Sequence, residues 1–340
     1  MNRLVKVYTS TLSCEAIFRI LGNGDYIIIS QCGGGKEPDI DNRIYLFRSR
    51  DKGQTWSEPV RLYEDGNAVY QTEVSVLNGK IYVFVTTHNG KFLNNRNFLL
   101  VSDDFGYTWQ ERELPLSFQG LVFIRGMIRC SSGRIVWPYQ FYPLDKAEEA
   151  RLISEGKHIW ESSVTFTECG VMIGGEGEKL RLGGKVRIPH GLCNGKIWQW
   201  PEPSVVELSD NALSMMLRVN GTNYLYQAVS ADGGESWSQP VQTDIYNPGN
   251  KPKLIRMNNN DICLINTPNK GKFLTDRHPL CLWLSNDDMK SWYYKAEIDD
   301  SAPCLSYPDG IAVGDSILFS YEKNRKEIWF AEHTVERRRV

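Results

Sequence analysis

Clustered cysteines, histidine and blocks of a single charge are what this sequence has least of. Eight cysteines stand at 14, 32, 130, 169, 193, 263, 281 and 304, and no two form a C-x-x-C pair. With five histidines in 340 residues, no Cys/His grouping has the ligand spacing of a zinc site, so no metal is expected, and no organic cofactor either. Most of the cysteines sit in apolar, strand-like stretches where a thiol behaves as a small hydrophobe. Reduced, buried thiols and a cytoplasmic protein are therefore the expectation. Lys plus Arg (39) nearly cancels Asp plus Glu (41), for a formal net charge of -2. No basic block of the kind that tracks a phosphate backbone is present, which argues against a nucleic-acid partner; the RRR run at 337–339 reads as a solvated tail. The opening MNRLVKVYTSTLSCEAIF has no apolar run long enough for a signal peptide or a membrane span. Secretion is expected only if a leader has been removed.

What the sequence does have is repetition. Ser-x-Asp-x-Gly-x-Thr-Trp is complete at Ser49–Trp56 and at Ser102–Trp109. Ser230–Trp237 carries Ser for Thr, and Ser285–Trp292 has Met289 where Gly belongs. The chemistry is that of a turn: Asp binds backbone amides across the loop, Gly supplies a positive φ, and Trp packs beneath. A second repeat is an apolar strand, a polar turn and another apolar strand, at 18–29, 74–85, 127–138, 205–217, 254–265 and 310–321. Six such hairpins predict an all-β, six-bladed propeller of four-stranded antiparallel blades. One domain over residues 1–340 is expected, with a loop-insertion region around 143–200. Within it, a charged helix-like piece (DKAEEARLIS, 145–154) and the Gly-rich GGEGEKLRLGG are both read as insertions.

Blade geometry then says where to look for a site. If each hairpin supplies inner strands a and b and each Ser-x-Asp turn joins c to d, those turns share one face of the disc. The b–c and d–a connections share the other. Openings of strand a there offer Glu15, Glu73, Arg125, Glu202, Lys253 and Tyr307. Strand b ends and the loops after them offer Glu37, Asp39, Asp41, His88, Arg96, Tyr139, Tyr142, Arg218, Arg277 and Glu322. Arginine forks suit a carboxylate, so the set fits an acidic, polyhydroxylated ligand, with salt bridging between blades as the competing explanation. Trp198 and Trp200 are candidates to stack on a sugar ring or to pack between blades.

The four turns resemble the Asp boxes of the sialidase superfamily, and the resemblance extends to site residues. PEPSVVELSDNALSMMLR is similar to the segment carrying that family's catalytic glutamate, which falls on Glu202, with a carboxylate-binding arginine at Arg218. Arg277, eight residues before Ser285, matches a further arginine. SYPDGIAVGDSILFSYE resembles the tyrosine segment, placing the nucleophile at Tyr307 and a supporting carboxylate at Glu322. The acid/base aspartate falls in KEPDIDNRIYLFRS, on Asp39 or Asp41. One departure stands out: Arg19 is out of register for the family's first arginine, and Glu15 occupies that position. The resemblance implies a retaining exo-glycosidase for sialic acid or a related acidic sugar. An ulosonic acid bears its carboxylate on the anomeric carbon, which repels a carboxylate nucleophile but not a neutral tyrosine. The alternatives are a glycosidase or polysaccharide lyase of other specificity, as Glu15 invites, or a glycan-binding propeller without catalysis.

Overall fold

Strands of alternating and fully buried apolar residues assemble into six antiparallel sheets, five of them running in chain order from the centre outward. The structure, a computed structural model, describes residues 2–175, 178–191, 197–272 and 275–335. Blade 1 comprises Ser13–Ile20, Tyr26–Cys32, Arg43–Ser49 and Val60–Arg61. Blade 2 comprises Ala68–Leu77, Lys80–His88, Arg96–Ser102 and Gln110–Glu113. In blade 3 the innermost strand is interrupted: Gly120–Ile124 and Ile128–Arg129 both pair with Ile135–Pro143, followed by Phe166–Gly175 and Glu178–Pro189. Blade 4 is Pro203–Glu207, Leu213–Arg218, Tyr224–Ser230 and Val241–Tyr246. Blade 5 is Lys253–Arg256, Ile262–Asn266, Leu280–Ser285 and Tyr294–Asp299. Blade 6 takes Leu305–Val313, Ser316–Lys323 and Glu327–Thr334 from the end of the chain and its outer strand, Asn2–Thr9, from the beginning. That pairing closes the ring and covers an edge that would otherwise be open. All six expected hairpins are the inner a–b pairs.

The four Ser-x-Asp turns share one hydrogen-bond pattern. Asp51 Oδ1 accepts from the amides of Gln54 and Thr55, its Oδ2 takes the Thr55 hydroxyl at 2.6 Å, and Ser49 Oγ accepts from Gly53 N at 2.8 Å. In the fourth turn Met289 adopts the glycine's role at φ 67°, and its amide still reaches Ser285 Oγ at 2.8 Å. The pattern tolerates the substitution because the bonds come from backbone and from Ser and Asp, which are retained.

One expectation about 143–200 needs correcting. The helix Lys146–Ser154 is an insertion, capped by Asp145, whose side chain accepts from Glu148 N at 2.8 Å. The Gly-rich stretch is not. Its described residues belong to the two outer strands of blade 3, and two of its glycines serve close packing: a Cβ at Gly183 or Gly184 would stand 2.6 Å from the carbonyl oxygen of Gly234 or Glu235 in blade 4. Leu152 and Ile159 of the insertion bury themselves against Tyr70, Phe92, Phe123 and Tyr142, so this segment docks on blades 2 and 3 and walls one side of the channel mouth. Seven cysteines are unpaired, six of them buried; Cys193 and the 337–339 run lie outside the described residues.

Candidate active site

Two β-bulges aim side chains into the mouth. In blade 1 the pairing register slips between Cys14 and Ile17, and Glu15 sits at φ 57°. In blade 6 it slips between Ser306 and Asp309, and Tyr307 sits at φ 54°. A left-handed conformation is unfavourable for residues with a Cβ, by about 1–3 kcal/mol, and persists where surrounding structure imposes it. Both residues line a cavity of about 500 Å³ whose other charged walls are Glu37, Arg125, Glu202, Arg218, Arg277 and Arg325.

Within this cavity Tyr307, Glu202 and Arg218 form a closed triangle. The Tyr307 hydroxyl donates to Glu202 Oε1 at 2.9 Å. Arg218 donates to Glu202 Oε2 at 2.8 Å and to the Tyr307 oxygen at 3.2 Å. Its Nε is fixed by Asn220 Oδ1 at 2.8 Å. Arg125 approaches Glu202 to 3.7 Å, pairs with Glu15 at 2.7 Å, and is oriented by Gln140, which accepts its Nε–H at 2.8 Å. Lys251 adds a second cation 3.6 Å from Glu15. The guanidinium of Arg277 lies over the Tyr307 ring, 5.7 Å from its centroid, and donates to Gly249 O at 2.8 Å.

Burial and neighbouring charge set the protonation states. Burial alone would raise the Glu202 carboxyl, but Arg218 and Arg125 outweigh it and hold the group below its usual range, so it is ionised at neutral pH. The Tyr307 phenol is pushed well above its ordinary value by burial and then by the Glu202 charge, so it rests neutral. Glu37, on the loop leaving the second strand of blade 1, is pushed up to about 8 by burial and by the nearby Glu15 charge. Arg125 and Arg277 oppose that rise. Arg325 meets Glu37 directly at the rim of the cavity, and its charge also acts against the rise.

Other sequence candidates lie elsewhere. Neither Asp39 nor Asp41 lines the cavity. Asp39 folds back on its own loop, accepting from the amides of Gly35 and Asp41, and those bonds lower its pKa. Arg19 and Glu73 pair with each other at 2.6 Å, and Arg19 also meets Asp309, which Lys253 holds at 2.6 Å from the other side. This network ties blades 1, 2, 5 and 6 deeper in the channel. His88 is fully buried behind Tyr70 and Phe92, accepts from Gly90 N at 3.0 Å, and is driven by burial down to about 3, so it carries no charge. Tyr139 is buried against Phe118 and the blade 2 residue Phe84 in the packing between blades 2 and 3, and does not line the cavity. Glu322 is buried with neither oxygen partnered among the described residues and is pushed well above its usual range by burial, so it stays neutral beside Ser306 without lining the cavity. Trp200 does line it, as do Trp198, Trp160 and Phe92. Sequence reasoning missed Arg325, Trp160 and Phe92, which stand in b–c connections, and Tyr70 and Phe123, which stand on inner strands. Among the described residues no group of three or more His, Cys, Asp or Glu is placed to hold a metal ion, and no helix is long and apolar enough to cross a membrane.

A family model described as a BNR repeat-like domain matches residues 25–319. The chain belongs to that family. Among solved structures, a protein of unknown function from Dyadobacter fermentans superposes with a TM-score of 0.73 at 16% identity, covering 98% of this chain and 99% of that one. The Hadza microbial sialidase Hz136 gives 0.72 at 17% identity, over 96% of this chain and 66% of its own. An alpha-L-arabinanase from Penicillium chrysogenum gives 0.60 at 14% identity, over 98% of both chains. A search of curated proteins found no significant match. At these identities the likeness establishes the fold of this BNR-repeat chain, a sialidase-like six-bladed propeller.

Proposed function

We propose that this BNR-repeat protein is a retaining glycoside hydrolase acting on the glycoside of an acidic sugar. The observation that carries the reading is the Tyr307–Glu202–Arg218 triangle, a neutral phenol hydrogen-bonded to an ionised carboxylate in a cavity open to solvent. As Tyr307 Oη attacks the anomeric carbon, its proton passes to Glu202 Oε1, and Arg218 stabilises the charge developing on the phenolic oxygen. The bond from that carbon to the leaving oxygen breaks as Glu37, protonated at neutral pH, gives that oxygen its proton. Water then attacks the glycosyl-tyrosine, loses a proton to Glu37, and Glu202 returns its proton to Tyr307. Two displacements at one carbon give retention.

Glu37 takes the role first expected of Asp39 or Asp41 because it is the acid of that loop that lines the cavity. Arg277 and Arg218 would hold the substrate carboxylate. The sialidase among the structural neighbours supports this reading, and the arabinanase shows that a related propeller carries a different glycosidase activity. Glu15, an anion where sialidases have an arginine, favours a second reading: a glycosidase of other specificity on the same machinery. Release of fluorophore from a panel of aryl glycosides by wild type and Tyr307→Phe tests both. Turnover of an acidic glycoside, lost in the variant, supports the first; turnover of neutral glycosides alone supports the second.

A further inference from the structure

The cavity is divided. Its ionic half comes mainly from blades 1, 4, 5 and 6. The other half comes from blades 2 and 3, the insertion and the connection into blade 4, and is built of six aromatic residues: Tyr70, Phe92, Phe123, Trp160, Trp198 and Trp200, with Val164 beside them. Arg125 also springs from blade 3, but its guanidinium lies over the Phe123 ring, 4.9 Å from the centroid, and pairs with Glu15, so it belongs to the ionic half; Ser162 adds a hydroxyl to the wall. His190, its basic member, has one ring nitrogen 2.8 Å from Thr167 Oγ1 and the other 3.1 Å from Val164 O. The rings interlock: Phe92 lies 5.8 Å from Trp200 and 5.6 Å from Tyr70, Trp160 lies 6.4 Å from Trp200, and Tyr142 backs Trp198 at 5.7 Å. A wall braced in this way keeps its carbon surface toward the ligand.

In a ring of six blades, blades 2 and 3 face blades 5 and 6, where Arg277 and Tyr307 stand. A pyranose with its anomeric carbon at Tyr307 and its carboxylate at Arg277 therefore turns its opposite edge to the aromatic wall. Hydroxyls on that edge would lose water and gain few partners, whereas methyl or acyl groups would bury apolar surface there. We propose that the site selects an acidic sugar whose edge remote from the anomeric carbon is deoxygenated or acylated, over one bearing a polyhydroxylated tail. This rests on the hydrolase reading for the orientation of the sugar, and one added methylene in such a pocket is worth about 10–200-fold in discrimination.

The test pairs two probes: N-acetylneuraminic acid and its counterpart with a 9-deoxy, O-acetylated side chain, as free sugars and as aryl α-glycosides. Titration calorimetry with Tyr307→Phe reads binding without turnover. The expected result is at least a tenfold preference for the acylated, deoxygenated sugar, shrinking toward unity in Tyr307→Phe carrying Trp160→Ala. Equal binding of the two sugars, no binding of either, or a preference unchanged by Trp160→Ala would overturn the proposal. Turnover of both glycosides at equal efficiency would overturn it while leaving the hydrolase reading intact. A binding preference with no turnover by wild type would uphold it and count against hydrolysis.

Discussion

Glu15 and Tyr307 occupy the same left-handed backbone conformation, at φ 57° and 54°, in bulges at matching places on neighbouring blades. The same local device thus delivers a carboxylate and a phenol to one cavity. Glu15 holds Arg125 at 2.7 Å and adds a negative charge to the site. Replacing it by Gln removes a like charge and releases a guanidinium, and both changes favour an incoming carboxylate. Glu15→Gln is expected to lower KM for an acidic glycoside by up to about tenfold, in line with a coupling of roughly 1–1.5 kcal/mol. A higher KM at unchanged kcat would contradict this account of Glu15.

Glu37 predicts the alkaline limb of activity. In the proposed mechanism it must be protonated to serve the leaving group, and its carboxyl is pushed up to about 8. Activity should therefore fall as pH rises through about 8, and Glu37→Gln should abolish the limb together with activity on poor leaving groups. Activated aryl glycosides, which need little protonation, should be spared in the first step. The same shift couples to folding. Between the unfolded value, near 4.3, and about 8, the folded protein binds the extra proton, so stability declines with rising pH. Glu37→Gln should flatten that decline in thermal melts recorded from pH 5 to pH 9.

The channel network predicts a stability effect with no catalytic one. Arg19 lies between Glu73 and Asp309, all three being largely buried. Arg19→Met leaves a buried carboxylate short of its counter-charge, which typically costs about 3–5 kcal/mol. Denaturant titration should show that loss, while kcat of the remaining folded enzyme is unchanged.

Two turn glycines with nearly equal φ separate strain from packing. Gly53 (φ 80°) would place a Cβ 2.6 Å from the Phe330 ring, whereas a Cβ at Gly66 (φ 83°) meets nothing within 4 Å. Gly66→Ala should cost about 1–2 kcal/mol for the left-handed backbone alone. Gly53→Ala should cost a further ~1–3 kcal/mol, because the ring must move. Equal losses would mean that Phe330 does not pack on this turn as described.

The fold was legible because its signals are local: a hairpin needs two apolar strands and a turn, and each Ser-x-Asp turn makes its bonds within seven residues. The triangle at Tyr307 was legible for a different reason: strand ends offered Glu202, Arg218 and Tyr307 among many polar residues, and the resemblance to sialidases singled out these three. The acid/base was expected on Asp39 or Asp41, with Glu37 only as a further residue of the mouth. Three acids lie within five residues, and the choice depends on Asp39 closing its own loop. Tyr139 shows the limit of counting to a strand end, because neighbours on a strand face opposite ways and the face that carries Tyr139 packs against blade 2. Arg19 and Glu73 found partners in each other, an outcome that sequence position leaves open.

The central claim is that Tyr307 is the nucleophile, and the direct measurement is covalent trapping. A 2,3-difluorinated acidic glycoside should slow breakdown of the intermediate enough for it to accumulate, so that quenched protein can be digested and its peptides weighed. The account predicts one sugar added to the peptide containing Tyr307, absent in Tyr307→Phe. A sugar found on Glu202 or another residue, or inversion at the anomeric carbon of the natural product, would contradict it.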